Sequence, residues 1–287
     1  MKGFLCVYKP SGISSFGVIA ALRKQFKIKQ IGHAGTLDPM AEGVLPIAIG
    51  KMTRMLEFLD EGKEYVCECE FGKISNTYDL EGEVEIFSTQ KTTETLVKRA
   101  LQNFIGEIEQ TPPAFSAIHY NGKRLYELAR KGEIPDDIPK RQVVIDFCEL
   151  INFDEPTQKA TFKVSCSKGT YIRSIVHDLG QKLGVGAVMT KLVRTKSGKF
   201  CVEDSVTLQE ITESPAPSSF LLNPFDVLNY KKIILSEKEF SKIRNGQSLR
   251  PTQDLPDDEI ILFEYNDELV AVGTFENGLI KTKKVLV

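Results

Sequence analysis

Residues 32–46 read GHAGTLDPMAEGVLP. Gly32, Gly35, Pro39 and Gly43 punctuate this stretch, and Leu37, Met40, Val44 and Leu45 give it apolar anchors on both sides of Asp38. A plain surface loop is more polar than this. Anchored in this way, Asp38 reads as a carboxylate held at the edge of a cleft. An Asp-Pro pair also caps turns, so nucleophile, general base and turn cap all stand open for Asp38. His33, taken alone, is more readily a satisfied loop histidine than a catalytic one. His33, His119 and His177 are too far apart in sequence for a short metal-ligand spacing, and no phosphate-cradling glycine loop is present.

Working outward, residues 4–8 form a short apolar strand. Pro10 and Gly12 turn the chain, and Ser14 or Ser15 can cap a helix that carries Phe16, Ile19 and Leu22. Residues 44–49 read as a core strand, followed by a helix with Met55, Leu56 and Leu59. Residues 65–71 alternate as a half-buried strand, and 84–87 as a returning one. An amphipathic helix is expected over 93–104, an extended stretch at 109–117 around Pro112 and Pro113, and a helix over 122–132. Residues 143–153 and 159–167 suit an antiparallel pair, and 173–183 a helix ended by Gly184. Residues 208–222, with Pro215 and Pro217, look like a linker. The hairpin-like pattern beyond 227 suggests a compact β-barrel.

The 287 residues suffice for a large core and more than one domain. The composition, 41% hydrophobic and 26% charged, suits a globular protein, and no apolar run is long enough to span a membrane. The first residues lack a signal-peptide pattern. The six cysteines read as reduced thiols, some buried in strands. The net charge of −2 argues weakly against a nucleic-acid partner, but its distribution argues the other way. Residues 1–54 hold eight Lys or Arg against two acidic residues, and 163–199 hold eight against the single Asp178. Residues 55–109 hold five basic and thirteen acidic residues. A solvated helix face can produce one basic run. Two, with an acidic stretch between, fit a molecule with one polyanion-binding side.

Three further groups carry chemistry. Tyr65 opens a strand, where a phenol packs in a core, stacks on a base or exchanges a proton. Arg173 follows Lys168-Gly169-Thr170-Tyr171 in the first turn of a helix. A cation gains nothing from the helix dipole there, so a partner carboxylate or phosphate is expected, and Asp38 is a candidate. Residues 115–126, FSAIHYNGKRLY, mix aromatics with His119, Lys123 and Arg124. That suits looped RNA with exposed bases, or equally a basic hairpin packing its aromatics inward.

GHAGTLDPMAEGVLP, EYVCECEFG (64–72), PPAFSAIHYNGKRLYELARKG (112–132), KGTYIRSIVHDLG (168–180) and LVRTKSG (192–198) occur in this order. Together they resemble the bacterial TruB family, the tRNA pseudouridine-55 synthases. The resemblance covers residues 3–200. It implies a mixed α/β synthase domain over 1–222, with a central antiparallel sheet flanked by helices, and a small PUA-like β-barrel RNA-binding domain over 228–287.

The resemblance assigns roles residue by residue. Asp38 would be the catalytic aspartate. Tyr65 would stack beneath the target base and accept the proton at C5. Arg173 would pair with Asp38, and Leu192 would pack in the pocket. His33 would help to hold the flipped RNA loop, and Lys9 would match the lysine of the N-terminal segment. Lys123 and Arg124 are expected RNA contacts. No cofactor or metal is implied. The expected partner is tRNA, through its T-stem loop and possible acceptor-end contacts, for a cytoplasmic monomer. Glu42, Val193 and His119 depart from the family pattern, which puts local RNA contacts in doubt and leaves the reaction alone. An RNA-binding protein without catalysis would explain the charge pattern but not the set Asp38, Tyr65 and Arg173. A uridine isomerase acting on ribosomal RNA would differ only in substrate reach.

Overall fold

Strict alternation of burial makes the Lys63–Phe71 strand the middle of the fold: Tyr65, Cys67, Cys69 and Phe71 point into one core. The computed structural model describes residues 1–135 and 137–287. Around this strand runs a sheet in the order Val206–Thr207, Gly3–Lys9, Glu42–Ile49, Ala187–Ser197, Lys63–Phe71, Lys159–Cys166, Arg141–Asp154 and Gly106–Gln110. The expected antiparallel pair is present, in register from Asp154↔Lys159 to Ile145↔Cys166. The sheet is mixed rather than purely antiparallel. Glu42–Ile49 and Ala187–Ser197 meet in parallel at Val193↔Glu42 and Arg194↔Gly43.

Two layers cover the sheet. Helices Glu94–Gln102 and Ile172–Leu183 pack Val97, Leu101, Ile175 and Leu179 against Cys67, Phe162 and Met189. The Gly3–Lys9 strand is buried on both faces, which explains its unbroken apolar run. Leu5 and Val7 face the helix Ser15–Phe26, while Phe4 and Cys6 face the C-terminal part of the chain. That helix starts where expected, with the Ser14 side chain accepting from the Gly17 amide at 3.0 Å.

Three sequence expectations need correction. The helix expected over 122–132 shrinks to Leu125–Ala129. Asn121 and Gly122, both at positive φ, instead form a tight turn between the two-residue strands His119–Tyr120 and Lys123–Arg124. The supposed linker at 208–222 is ordered. The helix Leu208–Glu213 is held by a reciprocal Thr207–Glu210 cap and buries Ile211 in the core beside Val7 and Leu22.

The third correction concerns the PUA-like β-barrel. Residues Lys231–Ile234, Ile260–Tyr265, Glu268–Glu276 and Leu279–Val285 form an open four-stranded sheet, and its two end strands do not pair with each other. No closed sheet occurs among the described residues. The physical reason is that both faces of this sheet are already covered. Leu262, Leu269, Val272 and Leu286 pack on Phe4, Met52 and Met55 of the large sheet's layer. Phe263, Val270 and Ile280 pack with Leu235 and with Ile243 of the helix Glu237–Arg244. No described helix is long and apolar enough to cross a membrane.

Candidate active site

The Asp38 loop is pinned from below. Ser15, at the buried start of its helix, donates to the Leu37 carbonyl at 3.0 Å and accepts from the Leu37 amide at 2.9 Å. Lys9 is fully buried under the loop and donates to the carbonyls of Pro10, Ile13 and Pro39 at 2.8, 2.6 and 3.1 Å. The Gly12 amide adds a second bond to the Pro39 carbonyl at 2.9 Å. With Leu37 and Pro39 both fixed, the intervening carboxylate has little freedom, yet 38% of the Asp38 side chain remains exposed. This is a short apolar–Asp–Pro segment presenting one charged group to a cavity.

Arg173 meets that carboxylate from the start of the helix Ile172–Leu183. Its Nη2 lies 2.9 Å from Asp38 Oδ2, and its Nε lies 3.5 Å from Asp79 Oδ2. Nη1 donates to the Thr77 carbonyl at 3.0 Å and Nη2 to the Phe115 carbonyl at 3.1 Å. Asp79 is itself buried, accepting from the Thr77 hydroxyl at 2.6 Å and the Glu81 amide at 3.0 Å. One buried guanidinium therefore bridges a buried carboxylate and an accessible one. That arrangement orients Asp38 and leaves its second oxygen free toward the cavity.

The cavity is about 1210 Å³ and contains Asp38, Tyr65, Arg173 and Leu192 in its wall, with Arg124 and the exposed Arg141 and Lys168 also in its lining. Burial pushes the Tyr65 phenol pKa up, and the Arg194 charge is the strongest influence opposing that rise. Burial lowers Lys9 to about 8, against the pull of Asp38.

The geometry places a fixed carboxylate, a phenol and an apolar wall in one cavity with a basic rim. Residues 23–172 match the family model described as "TruB family pseudouridylate synthase (N terminal domain)", more than half of the chain, and 173–219 match the "tRNA pseudouridylate synthase B C-terminal domain". The chain belongs to the TruB family. It is an enzyme, an isomerase that forms pseudouridine from uridine. Among curated proteins it is similar to the tRNA pseudouridine synthase B of Lactobacillus delbrueckii subsp. bulgaricus, at 40% identity over 94% of this chain and 93% of the relative. The protein of that name from Clostridium tetani is 39% identical over the whole of both chains. Among solved structures, an archaeal box H/ACA ribonucleoprotein complex aligns with a TM-score of 0.71 at 24% identity, over 99% of this chain and 86% of that one. An H/ACA ribonucleoprotein bound to a substrate RNA containing 2′-deoxyuridine aligns with the same TM-score and identity, over 99% and 85%. These two likenesses show the shared fold.

Within the TruB fold the expected site residues separate into groups. Asp38, Tyr65, Arg173, Leu192 and Arg124 line the cavity. Arg124 donates to the Ala117 carbonyl and so braces its own hairpin. Lys123 is exposed on that hairpin, outside the cavity wall. Lys9 lies beneath the loop, with its ammonium committed to carbonyls. His33 is half-buried beside the loop, and burial together with the Arg194 charge pushes its pKa down. Glu42 points away from the cavity, its carboxylate accepting from the Tyr8 hydroxyl at 2.8 Å.

Sequence reasoning missed two residues. Asp79 sits in the acidic stretch 55–109, where one more carboxylate carried no signal. Arg194 is fully buried two residues after Leu192, on the same side of an alternating strand. That spacing was the available clue. Its backbone packs against Gly43, where φ is +103° and an added Cβ would lie 2.2 Å from the Arg194 carbonyl oxygen. Only glycine permits this approach.

Proposed function

We propose that this protein isomerises the uridine at position 55, in the T loop of tRNA, with Asp38 acting at C1′ of a flipped nucleotide. The observation that carries the reading is the Asp38–Arg173 pair at the wall of a cavity shared with Tyr65 and Leu192. Preference for tRNA is supported by the names of the similar curated proteins.

A uridine in a stacked loop cannot present C1′ to Asp38, so the nucleotide must swing out of its stack. The Asp38 carboxylate then either bonds to C1′ as the N1–C1′ electron pair leaves on the base, or takes the 2′ proton to give a glycal. The detached base turns between Tyr65 and Leu192, and C5 bonds to C1′ as the Asp38–C1′ bond breaks and its electron pair returns to the carboxylate or, on the glycal route, as Asp38 gives the proton back to C2′. The Tyr65 oxygen takes the C5 proton, the C5–H pair restores the C5–C6 double bond, and N1 gains a proton. The atoms of base and sugar are all retained, so the balance needs no redox partner. Apolar closure keeps water from C1′, where it would hydrolyse the sugar–base bond.

Residues 1–222 serve as the synthase unit and 228–287 as an RNA-contacting unit, reaching from the T-stem loop toward the acceptor end. The enzyme works as a cytoplasmic monomer. Incubation with unmodified tRNA, followed by nucleoside chromatography and carbodiimide-dependent primer stops, tests the proposal. One pseudouridine stop at position 55 supports it. Pseudouridine elsewhere, or only in ribosomal RNA, rejects the site assignment.

A further inference from the structure

Arg194 is the largest fully buried side chain. Its Nε donates to the Val44 carbonyl at 2.7 Å and its Nη2 to the Gly35 carbonyl at 2.9 Å. The remaining nitrogen, Nη1, is buried with no hydrogen-bond partner among the described residues. Arg173 has two carboxylates, whereas Arg194 has none within ion-pair distance among the described residues. A buried cation without a counter-charge is unfavourable, because nothing replaces the water it has lost. Two backbone carbonyls would be served as well by a neutral donor.

The position of the guanidinium supplies a reason for the charge. Arg194 stands directly opposite Tyr65 in the antiparallel pairing of Ala187–Ser197 with Lys63–Phe71. Opposed residues project from the same face with Cβ atoms roughly 5 Å apart. Both line the cavity. Gly35, at φ +73°, keeps the space open: a Cβ there would lie 3.2 Å from Arg194 Nη1 and 3.0 Å from Lys63 Cε. Besides Arg194, the phenol is influenced by Cys166 and Asp38, and Lys63 and Arg173 line the same cavity. The ionisable groups around the guanidinium are Cys6, Lys9, His33, Lys63 and Cys166. Among the cations in the cavity wall, which include Lys63 and Arg173, Arg194 exerts the strongest pull on the phenol and stands directly opposite it.

We propose that Arg194 is a positioning residue for the chemistry, a buried counter-charge that lets the Tyr65 oxygen carry negative charge inside the closed pocket. The inference rests on the reading of Tyr65 as the acceptor of the C5 proton. In that step a phenolate oxygen takes the proton from C5 and becomes a neutral phenol. The C5–H electron pair forms the C5–C6 π bond, and the N1–C6 π pair moves to N1, which takes a proton from water. A phenol already neutral cannot accept, and a phenolate in an apolar pocket is costly without a nearby cation. Arg194 offsets that cost. Its bonds to Val44 and Gly35 fix it in place without consuming its charge.

The test compares the full-length parent with Arg194→Gln, Arg194→Lys, Tyr65→Phe and the double variant Arg194→Gln/Tyr65→Phe. Tyrosines are labelled with carbon-13 at Cζ, and the Tyr65 signal is assigned by its loss in Tyr65→Phe. Titration from pH 7 to 11.5 should show the Tyr65 midpoint about one unit or more higher in Arg194→Gln, with Arg194→Lys between; each unit is a tenfold change in phenolate. Single-turnover rates on tRNA should fall tenfold or more in Arg194→Gln with tRNA affinity within threefold. The same change in the Tyr65→Phe background should have little further effect, as coupled residues are non-additive. Equal midpoints, or a rate loss of the same size in both backgrounds, would overturn the proposal and leave Arg194 a structural brace. If Arg194→Gln does not fold, the Arg194→Lys midpoint decides in the same way. A Tyr65→Phe enzyme at the parental rate would instead remove the base assignment on which the inference stands.

Discussion

Arg173 reaches Asp38 at 2.9 Å while itself only 5% exposed, so the accessible carboxylate of the site is oriented by a cation that solvent barely touches. The helix Ile172–Leu183 places that arginine in its first turn, where the helix dipole disfavours it. Asp38, Asp79 and the carbonyls of Thr77 and Phe115 offset the penalty. Arg173 thereby ties its own helix to three segments distant in sequence, around Asp38, Asp79 and Phe115.

Arg173→Lys keeps the charge but cannot serve two carboxylates and two carbonyls at once. We expect single-turnover isomerisation to fall by about a hundredfold, as expected when a positioning fork is lost. The stability loss should be about 1–3 kcal/mol, from buried acceptors left without donors. Rapid-quench kinetics and urea melts check both numbers. A parental rate would show that the planar geometry is dispensable.

Asp79→Asn removes the buried carboxylate that fixes the far side of Arg173. The expected outcome is a rate at least about tenfold lower, roughly 1.4 kcal/mol in the barrier, with tRNA affinity little changed. Binding and single-turnover measurements on the same preparation separate the two effects. A loss confined to binding would place Asp79 in RNA recognition instead.

Lys9 gives a pH-dependent signature. Burial lowers its folded-state pKa to about 8 from the ordinary 10.5. Between those values the unfolded chain holds more protons than the folded one, so this group's contribution to stability rises as pH climbs through the window and is constant below it. The stability difference between the parent and Lys9→Met should therefore move in favour of the parent between pH 7.5 and 9.5, by on the order of 1 kcal/mol. Urea melts at the two pH values measure it, and a difference that stays flat or moves the other way contradicts the burial account.

Deleting residues 228–287 should do more than remove an RNA contact. Leu262, Leu269, Val272 and Leu286 share a core with Phe4, Met52 and Met55. Each such buried side chain stabilises by roughly 1.5–3 kcal/mol. We expect the truncated chain to melt more than about 10 °C lower and to bind a hydrophobic dye. An unchanged melting temperature would show that this shared core contributes little.

Much of the site was legible because its chemistry requires unusual residue patterns. An aspartate between apolar anchors and an arginine in a helix's first turn each break a local preference, whereas Tyr65 follows the preference of its strand and was singled out by the family resemblance. Asp79 and Arg194 break none that a single sequence displays. One is an acid among thirteen over residues 55–109, and the other an arginine in a strand that alternates as strands do. Their roles arise from burial, which only the folded sheet reveals. The C-terminal sheet failed for a related reason. Alternation and turns indicate hairpins, but closure depends on whether the end strands meet. Here the body of the enzyme and the helix Glu237–Arg244 cover both faces. The ordered 208–222 segment likewise owes its structure to Ile211 reaching the core of a distant strand.

Asp38 is the residue on which the proposed chemistry depends most directly. Asp38→Asn is nearly isosteric, keeps the loop's Leu37 and Pro39 anchors, and removes the charge proposed to act at C1′. Tritium release from tRNA carrying C5-labelled uridine measures each isomerisation directly. The prediction is no release above background under single-turnover conditions, with tRNA affinity within about tenfold, or 1.4 kcal/mol, of the parent. Release at the parental rate from the Asp38→Asn protein would contradict the account.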